Sequence, residues 1–375
     1  MLLDGFSLSP DFPQYYPCAR VLDYATLWYQ GYPIVPSLLP TLENMATPTY
    51  LANHATMRFM VDPFYARQLT TRSSMLSYWD VHRAHRQFDT FDAGLAYLSE
   101  QLASGHPVIV GGTPYFLPHF VYYQQPNYVE SYNPPPPLGI SNHFILVYGL
   151  EADSVYIFDP VPHRIKHPIG LNDFAGFWKT DRGIPGLEQY PGIDKLQMYS
   201  AFTLDRNAEG RGPRDVDLRP LAYHALRVNI RHYLDAPTRN TDQGTYTFGT
   251  LATERLLDDL ALYAPANEEL AATFELCLLW SRHARFFFRD LLESLVTAGE
   301  TTLWPYLTQA QHVAAWWDEV HTRYALRLRR RQPLSPDWLA ELRHIVQLTS
   351  QEEIGLRTTL LRALDAFGLD PSRVE

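Results

Sequence analysis

Between Gln101 and Leu150 the chain carries a single acidic or basic residue, Glu130, if histidines are set aside. A window so poor in charge is not a solvated surface, and it has to supply buried strands. Two runs within it fit that demand, His106-Pro-Val-Ile-Val-Gly111 and His143-Phe-Ile-Leu-Val-Tyr-Gly149. A third run, Ser154-Val-Tyr-Ile-Phe-Asp159, follows at once, alternates in polarity and ends in Asp-Pro. Between the first two lies a segment with Tyr115, His119, further tyrosines and the Pro134–Pro137 tract. A proline tract removes backbone donors and stiffens the chain, so this crossing reads as loop.

Upstream, Ala19 to Gln30 has apolar residues at helical spacing and stops at Gly31, with Pro17 and Cys18 at its start. A second helix is expected from Asp92 to Ala103, and Met198 to Leu204 reads as a strand that could close the sheet. After the polar, turn-rich Arg206–Pro213 the character changes. Stretches near 215–235, 249–263, 266–298, 303–331, 335–349 and 352–366 repeat apolar residues with a period near 3.6. The expected fold class is therefore α+β. It comprises an N-terminal domain over 1–207, helix packed on antiparallel sheet, and an all-α C-terminal domain over 214–375.

Composition narrows the function classes. Hydrophobic residues make up 46% of the 375 and charged residues 19%, which supports real cores and argues against general disorder. The formal charge of −10 gives no basic stripe for displacing counterions, so nucleic acid is not an expected partner. Two cysteines, Cys18 and Cys277, do not make a disulfide scaffold. The opening MLLDGFSLSPDFPQYYP has acids at Asp4 and Asp11 and no basic start, unlike a signal peptide. No continuous apolar run is long enough to span a membrane. The expected location is the cytoplasm.

One constellation carries chemistry. Cys18 stands directly before a helix, where unpaired N–H groups and the helix dipole favour a thiolate. His143 opens a strand far downstream and is placed to face such a helix end as a base. Asp159 ends the next strand, and antiparallel pairing would set its carboxylate beside the imidazole to fix the tautomer. Each residue alone has an ordinary structural explanation: a small buried hydrophobe, a strand-opening histidine, an Asp-Pro turn. Their order and settings together point to nucleophilic catalysis of the papain-like kind.

The segment Cys18-Ala-Arg-Val-Leu-Asp-Tyr-Ala-Thr-Leu-Trp-Tyr-Gln-Gly31 resembles the opening of the butirosin biosynthesis protein H family. Further echoes are Gly105–Val110, Tyr115-Phe-Leu-Pro118, His143–Gly149 and Val155–Pro160. The likeness covers about residues 15–205, and such proteins also carry a helical tail. The resemblance implies a papain-like fold and transfer of an acyl group from an acyl carrier protein to an amine. It implies Cys18 as acyl acceptor, His143 as base and Asp159 as orienter, with no cofactor. One departure concerns the oxyanion donor: papain-like peptidases place a glutamine about six residues before the cysteine, whereas Gln14 stands four before it. Gln14 and Asn142 are both candidates for that donor, whose loss typically costs about 10²–10³ in rate.

Remaining features are assigned provisionally. Tyr115 and His119 are candidates for lining the substrate site. Arg327, Arg329, Arg330 and Arg331 form the densest basic cluster, either a docking patch for an acidic carrier protein or cations complementing a helix C-terminus. Phe286–Phe288 and Cys277 read as core. His163 and His167 lack acidic or thiolate company at metal-ligand spacing, and no metal site is expected. No phosphate-binding glycine loop or nucleophile elbow occurs. Three functions stay open: an acyltransferase delivering to a small-molecule amine, a cysteine peptidase or amidase with the same triad, and a non-catalytic binding module.

Overall fold

The computed structural model describes residues 1–3, 5–6, 15–16, 18–32, 35–61, 79–126, 128, 143–160, 164–187, 196–206 and 218–366. The fold is mixed α+β, with antiparallel sheets. In chain order its first elements are α1 (Cys18–Tyr29), α2 (Leu38–Leu42), β1 (Thr49–Asn53), β2 (Arg58–Met60), β3 (Val81–Gln87), α3 (Phe91–Ala103) and β4 (Val108–Gly112). There follow β5 (His143–Leu150), β6 (Ser154–Asp159), β7 (Ile165–Gly170), α4 (Leu171–Trp178) and β8 (Ser200–Arg206). The remainder is α5 (Arg219–Asp235), β9 (Thr238–Thr241), β10 (Gly244–Phe248), α6 (Gly249–Tyr263), α7 (Glu268–Thr297), α8 (Trp304–Arg329) and α9 (Pro336–Ala366).

The chain divides into two compact units, and the division departs from a simple N- and C-terminal split. The first unit comprises Met1–Ile34 and Leu76–Arg214, the second Val35–Met75 and Asp215–Glu375. The expected boundary at 207–214 is close to the second crossing. Assigning 35–75 to the N-terminal domain is corrected.

In the first unit six strands form one sheet in the order β3-β8-β4-β5-β6-β7, each neighbouring pair antiparallel. The charge-free window supplies its centre. Val108, Val110, Ile145, Leu146 and Val147 are fully buried, which is why those runs contain no charge. Helix α1 packs against β5 and β8 and is buried along most of its length. It nevertheless contains Arg20 and Asp23. The Asp23 carboxylate, wholly buried, accepts from Arg20 Nη1 at 2.8 Å and from Arg83 of β3, so an ion triad ties the helix to the sheet's edge strand. The helix stops at Gly31, whose φ of +85° suits glycine, and the Tyr32 amide closes back on the Leu27 carbonyl.

The second unit is not all-α, which corrects the sequence expectation. It holds a four-stranded sheet in the order β2-β1-β10-β9, in which β1 pairs with β10 from Thr49↔Phe248 to Ala52↔Thr245. Short strands of Thr, Tyr and Asn carry no long apolar run, so the surrounding helical pattern hides them. The helices α5 to α9 follow the expected periods, except that 335–349 and 352–366 are one continuous helix. Cys277 is buried in the core they form, and burial pushes its thiol up to about 12, in keeping with an inert role.

A buried ionic cluster joins that unit's distant segments. Glu353 accepts from Arg285 Nε at 3.0 Å and from Arg357 Nε and Nη2 at 3.1 and 3.0 Å. Arg357 reaches on to Asn229 Oδ1 and to the Ala46 carbonyl, so α9 holds α5 and the 35–75 segment at once. The guanidiniums also lie over Trp317, Tyr233 and Phe288 at 4.0–4.1 Å. Burial alone would raise the Glu353 pKa, but the two arginines outweigh it and the net direction is down. A depressed carboxylate stabilises the fold above its unfolded value of about 4.3, and that contribution is lost as pH falls through the folded value. Glu353→Gln strands two buried cations and should cost about 3–5 kcal/mol in denaturant unfolding, with the deficit shrinking in acid.

Candidate active site

His143 is the first residue of β5 and lies opposite Gly112 in the register with β4. A Cβ on Gly112 would sit 2.2 Å from the Phe177 carbonyl and 2.7 Å from its ring, so only glycine admits α4 this close. The Thr113 amide donates to that same carbonyl at 3.1 Å. Phe177 and Phe120 then meet the His143 ring edge-on, with centroids 6.4 and 4.8 Å away. Both rings restrict the imidazole. Gly112→Ala should cost about 1–3 kcal/mol in thermal unfolding and disturb His143, because neither backbone can yield easily.

Asp159 ends β6 and is 1% exposed. Its Oδ2 accepts from His143 Nε2 at 2.9 Å. A carboxylate oxygen only accepts, so His143 carries its proton on Nε2 and presents Nδ1 as the free base in its neutral form.

Cys18 opens α1 beside this strand. The backbone N–H groups of Phe144, the residue after His143, and of Ala19 bond to its sulfur. The residue as a whole is half-buried, yet packing withdraws the sulfur itself from water. Burial pushes the Cys18 thiol up; the N–H groups oppose this, the Asp159 charge adds to it, and burial prevails. The helix-end N–H groups lower this pKa as expected, but burial outweighs them and the net direction is up. On His143, Nδ1 is the ring nitrogen that Asp159 does not engage. His143→Gln should confine Cys18 alkylation by iodoacetamide to pH values above the ordinary thiol range near 8.5.

Two further histidines join the site. His119 Nε2 lies 2.7 Å from the same Asp159 Oδ2, and His167 Nε2 lies 2.9 Å from His119 Nδ1. His119, expected to line a substrate site, is instead engaged with the acid. Nothing in the sequence links residues 119 and 159, and at metal-ligand spacing the sequence gives His167 no acidic company. Tyr115 packs with Phe116 and Tyr128 beside Ile184 and Leu187, a separate apolar cluster. Gln14, Asn142, His163 and the proline tract lie outside the described residues. Among the described residues no His, Cys, Asp and Glu group has the geometry to hold a metal.

The basic cluster divides in two. Arg327 donates from Nε to the Pro333 carbonyl at 2.7 Å and stacks on Trp338, so it braces the turn after α8. Arg329, Arg330 and Arg331 are exposed. Arg329 and Arg331 line a groove of about 870 Å³ that also contains Glu268 and Glu275. Among the described residues no helix is long and apolar enough to cross a membrane. No protein-family model matches the chain, and no curated protein matches it.

Proposed function

We propose that the chain is a cysteine-dependent acyltransferase that moves an acyl group from a carrier-protein thioester, through Cys18, to an amine. The observation that carries this reading is the convergence at one strand end. The Phe144 amide reaches the Cys18 sulfur while the preceding residue, His143, is oriented by Asp159. That convergence supports reading the three as a papain-like nucleophile, base and orienter, in the order along the chain that the sequence resemblance implies.

The chemistry follows from these three groups. Cys18 gives its proton to His143 Nδ1 as sulfur attacks the thioester carbonyl. The tetrahedral intermediate expels the carrier's thiol, which takes the proton back from His143. The amine then attacks the Cys18 acyl group, losing a proton to the same nitrogen, and the Cys18 thiol is released. Thioester exchange is close to isoenergetic, so a sulfur nucleophile suits this donor. A screened sulfur also suits aminolysis over hydrolysis, because competing water is held off. On this reading the enzyme works in the cytoplasm, and the exposed Arg329, Arg330 and Arg331 offer charge to an acidic carrier protein.

Intact-protein mass spectrometry after mixing with acylated carrier protein, or with simple acyl thioesters, tests this. The expected result is an acyl adduct that vanishes in Cys18→Ala and transfers to added amines. Asp159→Asn should slow its formation by about 10²–10⁴, as loss of an orienting acid does. No adduct and no thioester consumption across a broad donor panel would sink the reading. Cleavage of peptides or amides without any acceptor would instead identify a peptidase.

A further inference from the structure

The acid of this site is shared by two imidazoles, which a simple nucleophile–base–acid arrangement does not need. His143 Nε2 and His119 Nε2 approach one and the same oxygen of Asp159, at 2.9 and 2.7 Å. Both ring nitrogens must carry hydrogen to meet a carboxylate. Neutral His119 then has a bare Nδ1, which accepts from His167 Nε2 at 2.9 Å. The side chain of His119 is 9% exposed, and its ring stands edge-on to that of His167 with centroids 4.7 Å apart. The line His167→His119→Asp159←His143 is thus a directed hydrogen-bond chain spanning β7, the segment after β4, β6 and β5.

Resting on the reading of Cys18 and His143 as a catalytic pair, we propose that His119 is a positioning residue. Its N–H shares Asp159 Oδ2 with His143, limiting how strongly the carboxylate holds His143 in the imidazolium form, while His167 fixes the His119 tautomer. A base must be neutral to take the Cys18 proton. An acid that bound it too firmly would keep it charged at working pH, and a second donor on the same oxygen moderates that grip.

Among the described residues, several charged and titratable groups surround this chain. Asp159 of β6, His143 of β5 and His167 of β7 face His119. Cys18 of α1 is coupled to Asp159 through its charge. Lys166, the next residue to His167, turns to the Phe6 and Tyr148 rings. Asp173 of α4 is taken by the Tyr123 hydroxyl at 3.1 Å. Burial is the main cause that lowers the His167 pKa, opposed by a backbone hydrogen bond at Pro168 and by the Asp159 charge.

The test is the rate of Cys18 alkylation by iodoacetamide against pH, followed by mass at Cys18, in the full-length chain. The variants are His119→Leu, His119→Gln and His143→Gln, with thermal unfolding run on each. In His119→Leu, Asp159 loses its His119 donor and holds His143 more strongly, and the acid limb of the profile should move up by about one pH unit, the size expected of a changed close neighbour. Glutamine places an uncharged N–H near the position of Nε2, so His119→Gln should return the limb to its wild-type position. A merely structural role would lower rates at every pH and leave the limb in place. A His119→Leu limb that coincides with wild type, while that of His143→Gln differs, overturns the proposal alone. A His143→Gln profile that coincides with wild type overturns the Cys18–His143 pair, and the proposal with it.

Discussion

A carboxylate buried as fully as Asp159 is tolerable only where N–H groups face it, because removing the charge from water without partners costs several kcal/mol. The first unit is arranged to provide those partners. Strand β5 must begin at His143, β6 must end at Asp159, and the segment after β4 must bring back His119. The close approach of Phe177 to Gly112, which fixes α4 beside His143, follows from the same requirement for a rigid wall. The ion triad of Arg20, Asp23 and Arg83 sets the axis of α1, and so the place where Cys18 ends up. Moving any of these elements would leave a buried charge unpaired or a thiol without its base.

The parts of this arrangement legible in the sequence were those written in local patterns. The charge-free window marked β4 and β5, alternation marked β6, and helical spacing marked α1 and most of the second unit's helices. His143 and Asp159 stood out because they sit at strand ends, and the structure joins them at 2.9 Å. What could not be read was partnership at a distance. His119 sits in a turn, where no periodicity constrains it, and its bond to Asp159 depends on how the crossing folds back. Strand β3, whose sequence is Val81-His-Arg-Ala-His-Arg-Gln87, is an edge strand with mostly polar residues and so gives little hydrophobic signal.

The same reasoning explains why residues 35–61 belong with the C-terminal half. Their local sequence is unremarkable, but Asn44, Thr47 and Asn229 bond together in the interior, and Tyr50 donates to Asp259 at 2.8 Å. The β1–β10 pairing completes the join. The bonds to Asn229 and Asp259 and the β1–β10 pairing each span more than a hundred residues of chain, so no window-based pattern contains them. The cluster of Arg285, Glu353 and Arg357 shows the same limitation. Glu353 and Arg357 pair one turn apart within α9, but Arg285 joins them only once α7 and α9 have packed.

The raised thiol of Cys18 bears on which chemistry the site suits. A helix end and backbone amides do not outweigh burial at this thiol, so on the proposed reading the nucleophile forms only as His143 takes its proton. On that reading attack and proton transfer would be coupled, and the sulfur would stay protected between turnovers. That suits an acyl acceptor whose donor arrives as a thioester, since the carbonyl is already activated and little nucleophilic excess is needed. It also places the tuning of the site on the basicity of His143. Asp159 Oδ2 meets both His143 and the second imidazole, His119, so on the proposed reading the two rings divide one acceptor.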